Sequence, residues 1–149
     1  MRSRSVGGSA GPFTADDAEA VLAFNGDPLV MKQALFLAKT HGVAVGAHPA
    51  YPDLQGFGRR SMAIASDELN AMLQYQVSAL SGMAALYGVN VTYVKPHGAL
   101  YNDMMKNAEV RRTVMQSIAE INASSTGAPL TLMVQATAQN AALKEEAKG

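Results

Sequence analysis

The sequence predicts an α/β fold in which parallel strands alternate with helices. Three short segments rich in valine, leucine and other apolar residues lie at 43–47, 89–94 and 130–134, and a long helical pattern separates each from the next. Strands joined through a helix pair in parallel, by right-handed crossovers, and not as hairpins. The expected order is therefore helix, strand, helix, strand, helix, strand and helix.

Composition indicates a globular chain and narrows its partners. The 149 residues are 48% hydrophobic and 16% charged, enough for one core. A formal net charge of zero argues against nucleic acid or an anionic membrane surface as a partner. No apolar run approaches the ~20 residues that a membrane span needs. We read residues 1–12, rich in Gly and Ser, as a flexible leader, and 13–149 as a single domain.

The chain contains no cysteine. A disulfide, a thiolate nucleophile and a Cys-ligated metal are therefore excluded. This composition fits a reducing cytoplasm, which is the location we expect.

The first helix has a clear start and end. Asp27 can accept hydrogen bonds from the free amides of the first turn, and Pro28 at the first helical position gives up no hydrogen bond. Gly42 provides the C-terminal stop. The apolar run at 43–47 then predicts a short buried strand.

The second helix is predicted from Ser66 to Tyr87, just before Gly88. Ser66 is a favoured N-cap residue, and Asp67 and Glu68 suit the positive end of the helix dipole. The inward-facing positions follow a three-four spacing: Leu69, Met72, Leu73, Gln76, Val77 and Leu80.

The remaining elements follow from local composition. The segment 89–94 is β-branched and aromatic, which is typical of a strand. Asn107 is a suitable cap for a helix over 108–122. A third strand is expected at 130–134 and a final helix over 136–148.

Two histidines follow the first two predicted strands. His48 comes directly after the first, His97 follows the second, and Lys95 lies two residues before His97. Parallel α/β folds gather ligands at the carboxyl ends of their strands, so these groups should converge on one rim. A lone loop histidine is commonly structural, but two at equivalent strand ends favour function. His41, in the last turn of a helix, suits a structural role.

The loop GAHPAYPDLQGFGRR at 46–60 adds charged groups and glycines. Asp53 is a candidate to orient an imidazole, bind metal or accept a proton; the simpler interpretation is a turn residue. Arg59 and Arg60 can bind phosphate or carboxylate bidentately, although a salt bridge is the simpler reading for Arg60. Gly56 and Gly58 let the backbone approach a ligand closely. No Gly-Lys-Ser/Thr sequence follows, so this is not a Walker motif.

Further candidates lie just after the second histidine. Tyr101 and Asn102 would add hydrogen-bonding groups at the same rim. For a metal, the candidates are His48, His97 and Asp53; zinc requires at least three protein ligands, and the sequence alone does not bring these three together.

Two long motifs resemble a known family. The stretch GDPLVMKQALFLAKTHGVAVGAHPAYPDLQGFGRR, followed by VKPHGALYN, closely resembles the LamB/YcsF family of bacterial 5-oxoprolinase A subunits, most densely from Gly26 to Asn102. The resemblance implies a (β/α) barrel of the glycoside hydrolase/deacetylase type. It also implies ATP-dependent opening of the 5-oxoproline lactam to L-glutamate, together with two other subunits.

The resemblance also implies roles for the rim residues. His48 and His97 would handle protons or a divalent metal. Lys95 and Arg59 would stabilise phosphate or carboxylate charge, and Asp53 would orient a partner or act as a base.

The chain departs from the family pattern at both ends. It has no opening strand of the DLNCDLGE type, and it reads Ala23-Phe24-Asn25 where the family carries GFHA. We therefore expect a partial barrel of about three middle β/α units, whose open edges need a partner or self-association. Three functions stay open: a 5-oxoprolinase subunit that is active within a complex, a truncated non-catalytic homologue serving as an interaction module or gene fragment, and a metal-dependent hydrolase acting on sugars or amides.

Overall fold

A computed structural model describes residues 27–134 and 140–146 of the chain. The leader expected at 1–12 lies outside the described residues, as does the predicted start of the domain at residue 13. Helices and strands follow one another in this order: α1 (Pro28–His41), β1 (Val45–Ala47), α2 (Ser66–Leu86), β2 (Val91–Val94), α3 (Gly98–Lys106), α4 (Ala108–Ser124), β3 (Thr131–Leu132) and α5 (Asn140–Glu146).

The strands form a parallel sheet in the order β1-β2-β3. Parallel pairing confirms the predicted fold class. Spatial order equal to chain order is the arrangement of a (β/α) barrel, whereas a doubly wound sheet reverses its order at a switch point. The carboxyl ends of β1 and β2 consequently lie side by side, so the segments that come after them share one edge of the sheet.

The predicted boundaries of α1 are confirmed. The Asp27 side chain accepts a hydrogen bond from the amide of Leu29 at 2.8 Å, and Pro28 is the first helical residue. Gly42 closes the helix in the left-handed conformation, with φ 64°. The strand β1 is shorter than the predicted 43–47, because pairing with β2 starts only at Val45.

The prediction that Ser66 caps α2 is wrong. Ala65 is the N-cap residue and makes no side-chain cap bond, while Ser66 is the first helical residue. Its hydroxyl instead donates to Glu109, near the start of α4, at 2.9 Å. The predicted inward stripe is present, with buried side chains at Leu69, Leu73, Val77, Leu80 and Ala84.

Helix α3 was not predicted, and the element order therefore gains a helix between β2 and α4. It has nine residues and begins at Gly98, so neither its length nor its first residue signals a helix. Its stability comes from packing, because Leu100 and Met104, one turn apart, are completely buried. The cap of α4 is confirmed: Asn107 accepts from the amide of Glu109 at 2.9 Å.

The last two elements are shorter than expected. Strand β3 covers Thr131–Leu132 of the predicted 130–134. Helix α5 covers Asn140–Glu146 of the predicted 136–148, and the rest of that prediction lies outside the described residues. Within 27–134 and 140–146, no helix combines the length and hydropathy needed to cross a bilayer.

Candidate active site

The two predicted histidines meet at the carboxyl edge of the sheet. The Nε2 atom of His48 lies 2.9 Å from Nδ1 of His97. Their rings are 4.7 Å apart between centroids and stand edge to face, at 69°. Hydrogen bonds of the backbone continue the sheet at this point: the Lys95 amide donates to the Ala47 carbonyl at 2.9 Å, and the His97 amide donates to the Pro49 carbonyl at 2.8 Å. The expected convergence of the imidazoles is therefore confirmed.

Each end of this histidine pair contacts a backbone carbonyl. Nδ1 of His48 lies 2.5 Å from the oxygen of Lys95, and Nε2 of His97 lies 2.8 Å from the oxygen of Phe57. A carbonyl oxygen only accepts, so the imidazole nitrogen donates at both ends. Lys95 thus contributes its carbonyl to the pair, whatever its ammonium group binds.

The Phe57 carbonyl is aimed at His97 by an unusual backbone. Phe57 has φ 54° and Gly58 has φ 67°, both in the left-handed region. The next carbonyl, that of Gly58, accepts from the amide of Ala99 in α3 at 2.9 Å. The loop therefore rests on the first turn of α3, and it brings its backbone to His97 where we had expected it to approach a ligand.

Asp53 organises this loop from within. Its carboxylate accepts from the amide of Gly56 at 2.9 Å and from Nε of Arg60 at 3.0 Å, and it forms an ion pair with that guanidinium. A side chain at Gly56 would have no room, because its Cβ would stand 2.0 Å from the Asp53 carboxylate. Asp53 hydrogen-bonds to neither imidazole, although it is only 5% exposed. The simpler interpretations, a turn residue and a salt bridge, describe Asp53 and Arg60.

The amides of the loop are used inside the loop. Besides Gly56, the amides of Phe57, Gly58, Arg59 and Arg60 donate to oxygens of Leu54, Asp53, Gly56 and Asp53 respectively. A phosphate cradle needs amides that point outward to an anion. Gly56 and Gly58 therefore serve the shape of the loop, and anion binding here would depend on side chains.

Arg59 is the exposed cation of the site. Its guanidinium lies 5.7 Å from the ring centroid of Phe57, a cation–π arrangement. The Phe57 ring in turn stands edge to face on His97, with centroids 5.2 Å apart. On α3, Tyr101 is half-buried and Asn102 is exposed. The predicted binding residues thus follow the histidine pair along the loop and α3.

Sequence reasoning missed the residues that hold the loop in place. Gln76 of α2 bonds both the amide and the carbonyl of Ala50, each at 3.0 Å. Tyr51 donates to Asp103 of α3 at 3.0 Å, and burial is the main reason that its pKa is raised. Ser61 donates to the same carboxylate at 2.9 Å. The one available signal was Gln76, a polar residue at an inward position of an apolar stripe.

The proposed metal ligands do not form a metal site. Within the described ranges, no group of three or more His, Asp or Glu side chains is placed to hold an ion. His48 and His97 meet, but the third candidate, Asp53, is engaged with Arg60. Two imidazoles alone fall short of the three protein ligands typical of a catalytic zinc.

Asp53 gives the loop an acid-sensitive contribution to stability. The hydrogen bond from the Arg60 side chain lowers the pKa of Asp53 from 3.8 to about 2. A lowered folded-state pKa stabilises the fold above pH 3.8, and this stabilisation is lost as pH falls from there toward 2. We expect Asp53→Asn to be less stable than the unchanged chain at pH 6, with the gap closing near pH 2. Urea unfolding at stepped pH measures it, and a constant gap would contradict it.

Parallel strands in chain order, with polar side chains gathered where they end, are the architecture of (β/α)-barrel proteins. The family model of LamB/YcsF matches residues 19–148. The chain belongs to the LamB/YcsF family.

Individual relatives agree with this family. The chain is 51% identical over 117 residues to 5-oxoprolinase A subunit 2 of Pseudomonas putida, covering 78% of this chain and 43% of that protein. It is 50% identical over 126 residues to 5-oxoprolinase A subunit 3 of Pseudomonas aeruginosa, covering 84% and 48%. The crystal structure of a lactam utilization protein from Thermus thermophilus matches with TM-score 0.70 and 40% identity, covering 85% and 49%. The chain spans about half the length of these relatives.

Proposed function

We propose that the chain is a 5-oxoprolinase A-type subunit that takes part in ATP-dependent cleavage of 5-oxo-L-proline to L-glutamate in the cytoplasm, together with the other subunits of the enzyme. The names of relatives that are about half identical to it support the substrate and a complex of several subunits. The observation that carries a catalytic role is the hydrogen-bonded pair of His48 and His97 at the carboxyl edge of the sheet.

The chemistry of lactam opening asks for the groups found at this edge. A five-membered cyclic amide resists water, and ATP supplies a phosphoryl group that makes the amide a better electrophile. When the ring opens, its nitrogen must gain a proton, which an imidazole can deliver. Substrate carboxylate and phosphate are both anionic, and Arg59 is an exposed cation beside the pair. Lys95 is the second cation that we assign to anion binding.

The test is 5-oxoproline-dependent ATP hydrolysis by this chain with its partner subunits supplied. We expect His97→Ala to lower turnover by about 10² to 10⁴-fold, the usual contribution of a general acid or base. His41→Ala is the matched control, since His41 ends α1 at the opposite edge of the sheet, and it should keep full turnover.

The other outcomes also decide the question. A folded chain without turnover would overturn the proposal and favour a non-catalytic homologue that acts as an interaction module. Turnover that survives His97→Ala would keep the activity but remove the histidine pair from the mechanism. Turnover that depends on added metal and not on ATP would favour a metal-dependent hydrolase.

A further inference from the structure

We infer that His48 and His97 are not two equivalent acid–base residues: they form one chain of hydrogen bonds in which His97 carries the proton to be delivered and His48 positions it. This inference rests on the proposed function for its reaction, but not for its geometry. The chain runs from the Lys95 carbonyl through both rings to the Phe57 carbonyl.

The number of protons follows from the contacts. The carbonyl at each end requires a proton on the ring nitrogen that faces it, and the contact between the rings requires one proton shared between the two nitrogens. Three protons on four nitrogens satisfy all three contacts. Two neutral rings hold only two protons, so one contact would bring two lone pairs together. The observed geometry is therefore that of a pair with one positive charge.

The position of the charge follows from the same count. Nδ1 of His48 donates to the Lys95 carbonyl, which leaves Nε2 of a neutral His48 as an acceptor. His97 then donates from Nδ1 to His48 and from Nε2 to Phe57. His97 is the imidazolium, and neutral His48 supports it, as a hydrogen-bonded orienting group supports the base of a catalytic triad.

The surrounding charges do not replace this arrangement. Asp53 is engaged with Arg60, and Asp103 accepts from the hydroxyls of Tyr51 and Ser61, so neither carboxylate hydrogen-bonds to an imidazole. The titratable and charged side chains on the elements around the pair are Tyr51, Asp53, Arg59 and Arg60 in the loop, Lys95 before His97, and Tyr101, Asp103 and Lys106 on α3.

The Phe57 carbonyl occupies the place of the proton acceptor. It meets the outer nitrogen of His97, on a loop held in the left-handed region at Phe57 and Gly58. In the reaction, the Nε2–H bond of His97 breaks, the proton moves to the departing ring nitrogen, and the electron pair stays on Nε2. The pair becomes neutral, loses its attraction for the Phe57 carbonyl, and regains its proton from water.

The first test counts protons directly. The chain has three histidines, so ¹⁵N-histidine labelling gives a simple long-range ¹H–¹⁵N spectrum. During a pH titration in the presence of EDTA, we expect His97 to change between one and two protons while His48 keeps a single proton on Nδ1. His41 serves as the internal reference for an ordinary histidine. A second proton on His48, or a His48 protonated only on Nε2, would overturn the inference, as would ring signals that shift to metal-bound positions when EDTA is replaced by zinc.

The second test separates the two roles. His48→Gln places an amide oxygen near the accepting position of Nε2, whereas His48→Leu removes the acceptor. We expect His48→Leu to lower kcat by about 10²-fold and to remove the doubly protonated state of His97, while His48→Gln recovers most of both. His97→Gln should stay folded but inactive. If wild-type protein and His48→Gln show the expected proton pattern but the complex has no turnover, the proposed function fails and the inference stands; if His48→Leu leaves His97 doubly protonated, the inference fails.

Discussion

Gly98→Ala is expected to destabilise the chain by about 2–5 kcal/mol and to displace the loop from the histidine pair. Two effects combine. Gly98 has φ 58°, where an L side chain is strained by about 1–2 kcal/mol. Its added Cβ would also stand 2.4 Å from the carbonyl oxygen of Gly58, which is backbone and cannot rotate away. Domains of this size have about 5–15 kcal/mol in total, so the loss is a large share.

The measurement for Gly98→Ala is urea unfolding together with the histidine spectrum. Gly82→Ala is the matched control, because Gly82 is exposed in α2 and a Cβ there meets nothing within 4 Å. That control should gain about 0.5–1 kcal/mol from the better helix propensity of alanine. Gly98→Ala with unchanged stability and an unchanged His97 signal would mean that the loop does not rest on the first turn of α3.

The position of the histidine pair was predictable because it depends on topology alone. Parallel strands place the segments after them at one edge, so a histidine after β1 and another near the end of β2 had to come close once the strands were neighbours. No side-chain detail was needed. The same reasoning correctly predicted the caps of α1 and α4, where one side chain satisfies nearby amides.

The internal wiring of the loop was not predictable from sequence. Gly56, Gly58 and Arg59 have the residue types of an anion site, and the types alone do not reveal that the loop amides already have partners. Those partners depend on Asp53, whose carboxylate turns inward to Gly56 and Arg60. A carboxylate that points outward would have left the same sequence with free amides, so only the three-dimensional arrangement separates the two.

The missed helix α3 has a related cause. Its nine residues begin with glycine and would not form a stable helix in isolation. Tertiary packing of Leu100 and Met104 stabilises it, and Gly98 at its start is needed for contact with the loop rather than for the helix. Local propensity was overridden at the position where the site is assembled, which is where such conflicts are expected.

Gly46→Ala should cost about 3 kcal/mol through a clash inside the sheet. Gly46 of β1 is the register partner of Tyr93 in β2, and the aromatic ring covers the glycine. A Cβ at residue 46 would lie 2.0 Å from Cε2 of that ring. The ring is buried, so it cannot swing aside without disturbing the core next to His48.

A double-mutant cycle tests whether the Tyr93 ring is the cause. Tyr93→Val removes the ring and leaves a void, so it is destabilising by itself. The added methyl of Gly46→Ala then fills part of that void, and the double variant should be more stable than the sum of the single losses by about 1–3 kcal/mol. Urea unfolding of the four proteins gives this coupling. Additive losses would place the ring elsewhere, and the glycine of the GAHP motif would then need another explanation than close packing behind the first histidine.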